Sequence, residues 1–220
     1  MNNNILPPPN SGILSGRRRF TSRNDDCPYQ KVEYLEASQE EGSVWINTEY
    51  CPQGNDIDIF IGYMPLRPRV YNFATWVCNF SNVNAGLYGV RHGSFDGNIQ
   101  LLLGNTSNGA IYAPVQCSFG TKYEIELRHE RKFKINGIEG DLNSFENNTN
   151  TNPITIFNRV DSLAQSYGRI YHLRIDKAGV TEFDLIPVRI GNEGYMYDRV
   201  SGKLFGNAGT GKFILGPDIN

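Results

Sequence analysis

Carboxylates on alternate residues are the first feature of this sequence that could do chemistry. In Glu124-Ile-Glu126-Leu-Arg-His-Glu130, Glu124 and Glu126 would share one face of a strand. Retaining cleavage of a glycosidic bond needs such a pair, one acid and one nucleophile about 5–5.5 Å apart. A solvated sheet face carries the same alternation with no chemistry at all, and that is the reading expected here. Asn55, Asp56 and Asp58 offer oxygen ligands that Asp96 or Asn98 could join, but no loop has the ligand pattern calcium wants. The histidines His92, His129 and His172 are scattered and no G-x-S-x-G elbow accompanies them. Residues 206–212, Gly-Asn-Ala-Gly-Thr-Gly-Lys, run like a phosphate loop, yet Lys212 is followed by Phe213 where Ser or Thr is required. Cys27, Cys51, Cys78 and Cys117 form no Cys-x-x-Cys or Cys–His pair at zinc spacing. The chain is therefore expected to be no enzyme and to carry no metal or cofactor.

Binding is the better prospect. Tyr88, Arg91 and His92, within Tyr88-Gly-Val-Arg-His-Gly93, have the composition of a rim that meets a ligand, and Tyr112 is a further candidate. A sugar wants an aromatic platform beside amides or carboxylates, which these residues and their neighbours Asp96 and Asn98 could supply. The net charge of −2 and pI near 5.9 exclude a nucleic-acid binder that works by bulk charge. The single run Arg17-Arg18-Arg19 suits a carboxylate-bearing protein neighbour better than a phosphate backbone. No stretch approaches the about 18 apolar residues of a membrane span. The start, Met1-Asn-Asn-Asn-Ile-Leu-Pro-Pro-Pro, lacks the basic and apolar regions of a secretion signal.

The elements that must position these residues are strands. Period-two alternation marks Val32–Ala37, Val44–Thr48, Ile57–Tyr63, Phe73–Phe80, Gly86–Val90, Ile99–Leu103, Ala110–Tyr112, Tyr123–Arg128, Lys132–Asn136, Ile154–Phe157, Gly168–Ile175 and Thr181–Ile186. Asn136-Gly137 signals a tight type I′ hairpin. Spacing of 3.6 persists nowhere over ten residues; the nearest case, Val160 to Tyr167, is short. About a dozen antiparallel strands describe an all-β, two-sheet jelly-roll sandwich. Residues 1–27 differ: they hold Pro7-Pro8-Pro9, the arginine run, and only Ile5, Leu6, Ile13, Leu14 and Phe20 as apolar points. Such a segment cannot bury enough surface to fold alone. It reads as an extended docking arm in which Ile5, Leu6, Ile13 and Leu14 are apolar knobs and Arg17, Arg18 and Arg19 meet acidic groups. The domain proper is then residues 28–220.

Two regions carry a resemblance. Tyr29-Gln-Lys-Val-Glu-Tyr-Leu-Glu-Ala-Ser38, followed by Trp45-Ile-Asn-Thr48, resembles the first hairpin of concanavalin A-like, laminin-G-like jelly rolls. Gly168-Arg-Ile-Tyr171, Asp184–Arg189, Gly194-Tyr-Met-Tyr-Asp198, Ser201–Phe205 and Asn207–Gly211 are similar to the closing segment of such domains in gut bacteria and their tailed phages. The resemblance spans roughly residues 28–217. The glucan-cleaving members have a third carboxylate and a middle Asp; here Glu130 lies one position too far and the Asp is missing. The closing motif also has a ligand-free reading: its glycines allow turns and close approach, Asp198 and Asn207 bond local backbone, and Tyr195, Tyr197, Phe205 and Phe213 pack. The resemblance implies a non-enzymatic structural or decoration protein of a phage virion, made in the host cytoplasm. Residues 1–27 would anchor it to another virion protein, oligomeric in the assembly, with a jelly roll that binds host-surface glycan weakly. The alternative it implies is a glycan-binding module at a bacterial surface or secreted from one. Neither involves nucleic acid or a membrane.

Overall fold

The computed structural model describes residues 27–38, 41–51, 54, 56–66, 74–79, 87–92, 98–104, 111–116, 118–141, 153–158 and 166–220. The docking-arm residues Ile5, Leu6, Ile13, Leu14 and Arg17–Arg19 lie outside them, as do residues 160–165 of the Val160–Tyr167 stretch and the Asn-rich 143–152 segment.

The strands in chain order begin with β1 (Gln30–Val32), β2 (Leu35–Ala37), β3 (Ile46–Asn47), β4 (Ile57–Pro65), β5 (Ala74–Asn79) and β6 (Leu87–His92). They continue with β7 (Asn98–Gly104), β8 (Ile111–Gln116), β9 (Tyr123–Arg128), β10 (Lys132–Ile135), β11 (Ile138–Asp141) and β12 (Thr155–Ile156). The last are β13 (Gly168–Lys177), β14 (Val180–Ile190), β15 (Glu193–Asp198), β16 (Leu204–Phe205), β17 (Ile214–Leu215) and β18 (Asp218–Ile219). No helix occurs among the described residues, so none there is long and apolar enough to cross a membrane.

Two antiparallel sheets form. The larger runs β11-β10-β9-β4-β13-β14-β1-β18, with β15 on β14, β16 on β15, and β2 between β13 and β17. The smaller runs β3-β12-β5-β6-β7-β8. Their facing sides meet in one core. Ile59, Ile61, Ile125, Leu127, Leu173, Ile175 and Leu185 come from the large sheet, and Ile46, Ile154, Ile156 and Phe157 from the other side. These side chains are all but fully buried, each worth about 1.5–3 kcal/mol against exposure. The fold is the all-β, two-sheet jelly-roll sandwich that the alternation implies.

Three local differences have physical causes. The Val32–Ala37 stretch divides into β1 and β2 where the chain changes neighbours, from β14 beside β1 to β13 beside β2. On the other side the C-terminal segment keeps one register along both, with Glu33 N–H donating to the Pro217 carbonyl and Gly216 N–H to the Tyr34 carbonyl. Residues 29–48 also make no hairpin, since β1 and β2 join the large sheet and β3 the small one. Third, β14 runs through Pro187. Its pairing with β13 ends at Leu185 and its pairing with β1 starts at Val188, so the missing proline N–H falls where β14 changes partners.

The tight turn at Asn136-Gly137 forms as expected, with φ of 46° and 87° and Ile135 opposite Ile138. The closing segment staples itself to the chain near residue 45. Asn207 Oδ1 accepts from the N–H groups of Trp45 and Gly209, and its Nδ2 donates to the Gly211 carbonyl at 2.6 Å. Phe205 and Phe213 enter the core, and Tyr197 meets Tyr29 edge-on.

Candidate functional site

Alternation on β9 and β4, and on β13 beyond a bulge at Tyr171, sends mostly aliphatic side chains inward and leaves an outer face of different chemistry. Register then aligns that face into rows. One row crosses six strands as Glu139, Lys134, Glu126, Phe60, Arg174 and Asp184. Opposite charges alternate along it except at Phe60, its one aromatic member. A second row is Glu124, Gly62 and His172. Gly62 matters because a Cβ there would stand 2.7 Å from the His172 ring. The missing side chain lets that imidazole lie across β4, where its Nε2 reaches Glu124 Oε2 at 2.7 Å.

Each carboxylate on this face is held by a cation. Glu124 lies 2.8 Å from Lys122 Nζ, Glu126 lies 2.6 Å from Arg128, and Asp184 lies 2.7 Å from Arg199. Burial alone would raise the Glu124 carboxyl, but hydrogen bonds from Lys122 and His172 outweigh it and hold the group below its ordinary value. Asp58 and Asp176 face each other across β4 and β13, a like-charge pair that cations relieve. Arg128 lies 3.6 Å from Asp58, and Arg174 lies 3.2 Å from Asp176. The Asp58 carboxylate also accepts the His129 backbone N–H at 2.8 Å and sits 2.7 Å from its Nδ1. Burial opposes the charge on Arg128, yet the Glu126 hydrogen bond and the nearby carboxylates raise its affinity for the proton.

Phe60 is half-buried at the centre. The Arg174 and Arg128 guanidiniums stand 3.9 and 4.6 Å from its ring centroid, each contact worth about 0.5–1 kcal/mol at an exposed site. Around the ring lies a groove of about 240 Å³ lined by Glu124 and Glu126 from β9, His172 and Arg174 from β13, Asp184 from β14, and Arg199. That is smaller than the about 300–1,000 Å³ of drug-sized pockets, and it suits one ring-sized group. A larger recess of about 460 Å³ continues past Arg128 towards Lys132 and Glu139.

Hydrolysis is poorly served by this arrangement. A general acid for glycoside cleavage needs a carboxyl raised above its ordinary value, and Glu124 moves the other way. Glu124 and Glu126 do share the outer face, but each is turned to its own cation. Asp58 is engaged by His129 and Arg128, and among the described residues no three His, Cys, Asp or Glu gather as a metal site. Lys212, in the phosphate-loop look-alike, is ion-paired with Glu193 at 2.7 Å.

The residues singled out for ligand contact fall on the other sheet. Tyr88, Arg91 and His92 lie on β6 and Tyr112 on β8. Register joins Thr75, Arg91, Gln100 and Tyr112 in one cross-strand row. Tyr88 pairs with Leu103 and His92 with Ile99, which puts both at the opposite parity to Arg91. The groove residues Phe60, Arg174, Asp184 and Arg199 were not marked by sequence. The available signal was an aromatic at an outward position of Ile57-Asp-Ile-Phe-Ile.

No family pattern and no curated protein matches this sequence. Solved structures do. A protein of Bacteroides ovatus to which carbohydrate binding has been attributed superposes with a TM-score of 0.53 at 9% identity. The match covers 86% of this chain but 62% of that protein, so the chain spans less than two thirds of its length. A heptameric SAP-like pentraxin from Limulus polyphemus is similar at a TM-score of 0.48 and 12% identity, over 87% of this chain and 96% of the pentraxin. At such identities the first likeness is one of fold, the concanavalin-like jelly roll.

Proposed function

We propose that this chain is a non-enzymatic glycan-binding jelly-roll module displayed on a phage particle, where residues 1–27 dock it to a neighbouring virion protein. The observation that carries glycan binding is the Phe60 groove, an aromatic group ringed by hydrogen-bonding charges that neutralise one another. Sugars are recognised by such mixtures, since each hydroxyl both donates and accepts. The fold shared with a protein to which carbohydrate binding has been attributed supports the same reading. The virion setting rests on the make-up of the arm, with its polyproline spacer, paired apolar knobs and triple arginine.

Binding of the full chain to an array of oligosaccharides, with Phe60→Leu beside it, tests the glycan reading. Retention by the wild type and loss in the variant is the expected result; no retention of any glycan overturns it. Density-gradient fractionation of native material tests the setting. Co-banding with DNA-filled particles is expected, and recovery only at a bacterial surface would favour the alternative module. A second reading of the binding surface is the Arg91–Gln100–Tyr112 row, favoured by its register on β6, β7 and β8. Arg91→Ala and Tyr112→Ala variants on the same array distinguish the two.

A further inference from the structure

We infer that the Phe60 groove selects neutral glycans over anionic ones and does so through its own internal charge compensation. This rests on the glycan-binding reading and adds the ligand's chemical class. The cations are matched pair by pair: Lys122 with Glu124, Arg128 with Glu126, Arg199 with Asp184 and Arg174 with Asp176, while the His172 ring lies against Glu124. A sulfate or carboxylate entering here finds no surplus cation. To reach Arg199 it must displace Asp184 at 2.7 Å, and to reach Arg128 it must displace Glu126 at 2.6 Å. Displacement leaves a carboxylate beside the incoming anion, and like charges at close range disfavour binding. A hydroxyl faces no such exchange. It donates to a carboxylate oxygen and accepts from a guanidinium N–H while the ion pair stays intact.

Arg174 supplies the independent observation. Its guanidinium is fixed against Phe60 at 3.9 Å and its Nε lies 3.2 Å from Asp176 Oδ1, yet neither of those two atoms makes an aligned hydrogen bond. The Nε is buried and out of a ligand's reach, but ring contact and the Asp176 charge orient the rest of the side chain, which lines the groove. Preorganised donors of this kind lose little entropy on meeting a hydroxyl oxygen. The volume, about 240 Å³, admits one sugar ring of a longer chain.

The test is a binding series with the full chain. The probes are neutral oligosaccharides of glucose, galactose, mannose and N-acetylglucosamine, set beside sialylated, uronic-acid and sulfated chains of equal length. At least one neutral probe should bind at least ~10-fold more tightly than its anionic counterpart, a difference of about 1.4 kcal/mol. Its affinity should change by less than ~3-fold between low and high salt, since no net charge is neutralised. Asp184→Asn is the decisive variant, because it keeps shape while releasing the positive charge of Arg199. It should gain anionic-glycan binding and lose preference for the neutral probe. Phe60→Leu should lose both. Wild-type preference for anionic probes that Phe60→Leu abolishes would overturn the selectivity and leave the glycan reading standing. Neutral binding untouched by Phe60→Leu would overturn the groove. Asp184→Asn with unaltered selectivity would overturn the charge argument. An absence of all glycan binding would overturn the functional reading itself.

Discussion

Replacing Asp198 with alanine would strip the acceptor that organises the turn between β15 and β16. Its side chain is 1% exposed. One carboxylate oxygen accepts the backbone N–H groups of Asp184 at 2.9 Å and Val200 at 3.1 Å, and the other accepts Ser201 N–H at 3.1 Å and the Ser201 hydroxyl. Hydrogen bonds to a charged group are worth about 1.5–3 kcal/mol each, but four made by one carboxylate do not add. Val200 and Ser201 are exposed, so their donors turn to water once Asp198 is gone. The Asp184 N–H, inside the β14 edge, is the donor left without a partner. Together with the disordering of the turn, this gives a loss of about 3 kcal/mol. For a chain of this length that lowers Tm by about 6–12 °C. Asp198→Asn keeps one oxygen for Asp184 and Val200, so it should cost about 1 kcal/mol. Thermal and urea unfolding of the two variants read the difference. An Asp198→Ala protein that melts with the wild type, or an Asn variant as damaged as the Ala one, would refute the reasoning.

Other perturbations follow from single contacts. Gly211→Ala would push a methyl into the Glu41 carbonyl, backbone against backbone, and should cost at least ~3 kcal/mol in urea unfolding. Glu124 is held ionised below its ordinary value of 4.5. The stability it contributes is therefore complete above that value and lost as pH falls through the lower folded value. Glu124→Gln should flatten the acid side of the stability curve, and unfolding at pH 7, 5 and 3.5 checks it; an acid limb as steep as wild type would count against the His172–Glu124–Lys122 arrangement. Deleting residues 1–27 should leave the melting temperature unchanged, because among the described residues the core begins at Val32, and, if the proposed docking holds, should abolish incorporation into a particle; equal incorporation would remove the docking role.

Strands with clean alternation were legible in the sequence: β9 was readable to the residue, and β4 and β13 missed only their last positions. Their inner faces are aliphatic and their neighbours in the chain are turns, so local pattern suffices. The closing strands were not legible. β15 alternates as Gly194, Tyr195, Met196, Tyr197, but glycine and the following turns conceal the period, and β11 is a four-residue exposed edge. The β13–β14 hairpin turns on Ala178 and Gly179, at φ 48° and 73°; the glycine is a local signal, but alanine rarely takes the first of these conformations, so the tight two-residue turn is not announced. The break between β1 and β2 is set by the change of neighbour from β14 to β13, both far along the chain. The candidate site was hidden for the same reason. Glu126, Phe60, Arg174 and Asp184 become a row only when β9, β4, β13 and β14 lie in register, and alternation fixes faces but not register.

Backbone amide chemical-shift mapping of the full chain, titrated with the neutral oligosaccharide that binds best, tests the central claim most directly. Perturbations should gather on Phe60, Glu126, Arg174 and Asp184 across β4, β9, β13 and β14. Shifts gathered instead on Arg91, Gln100 and Tyr112, or no specific shifts at saturating sugar, would contradict it.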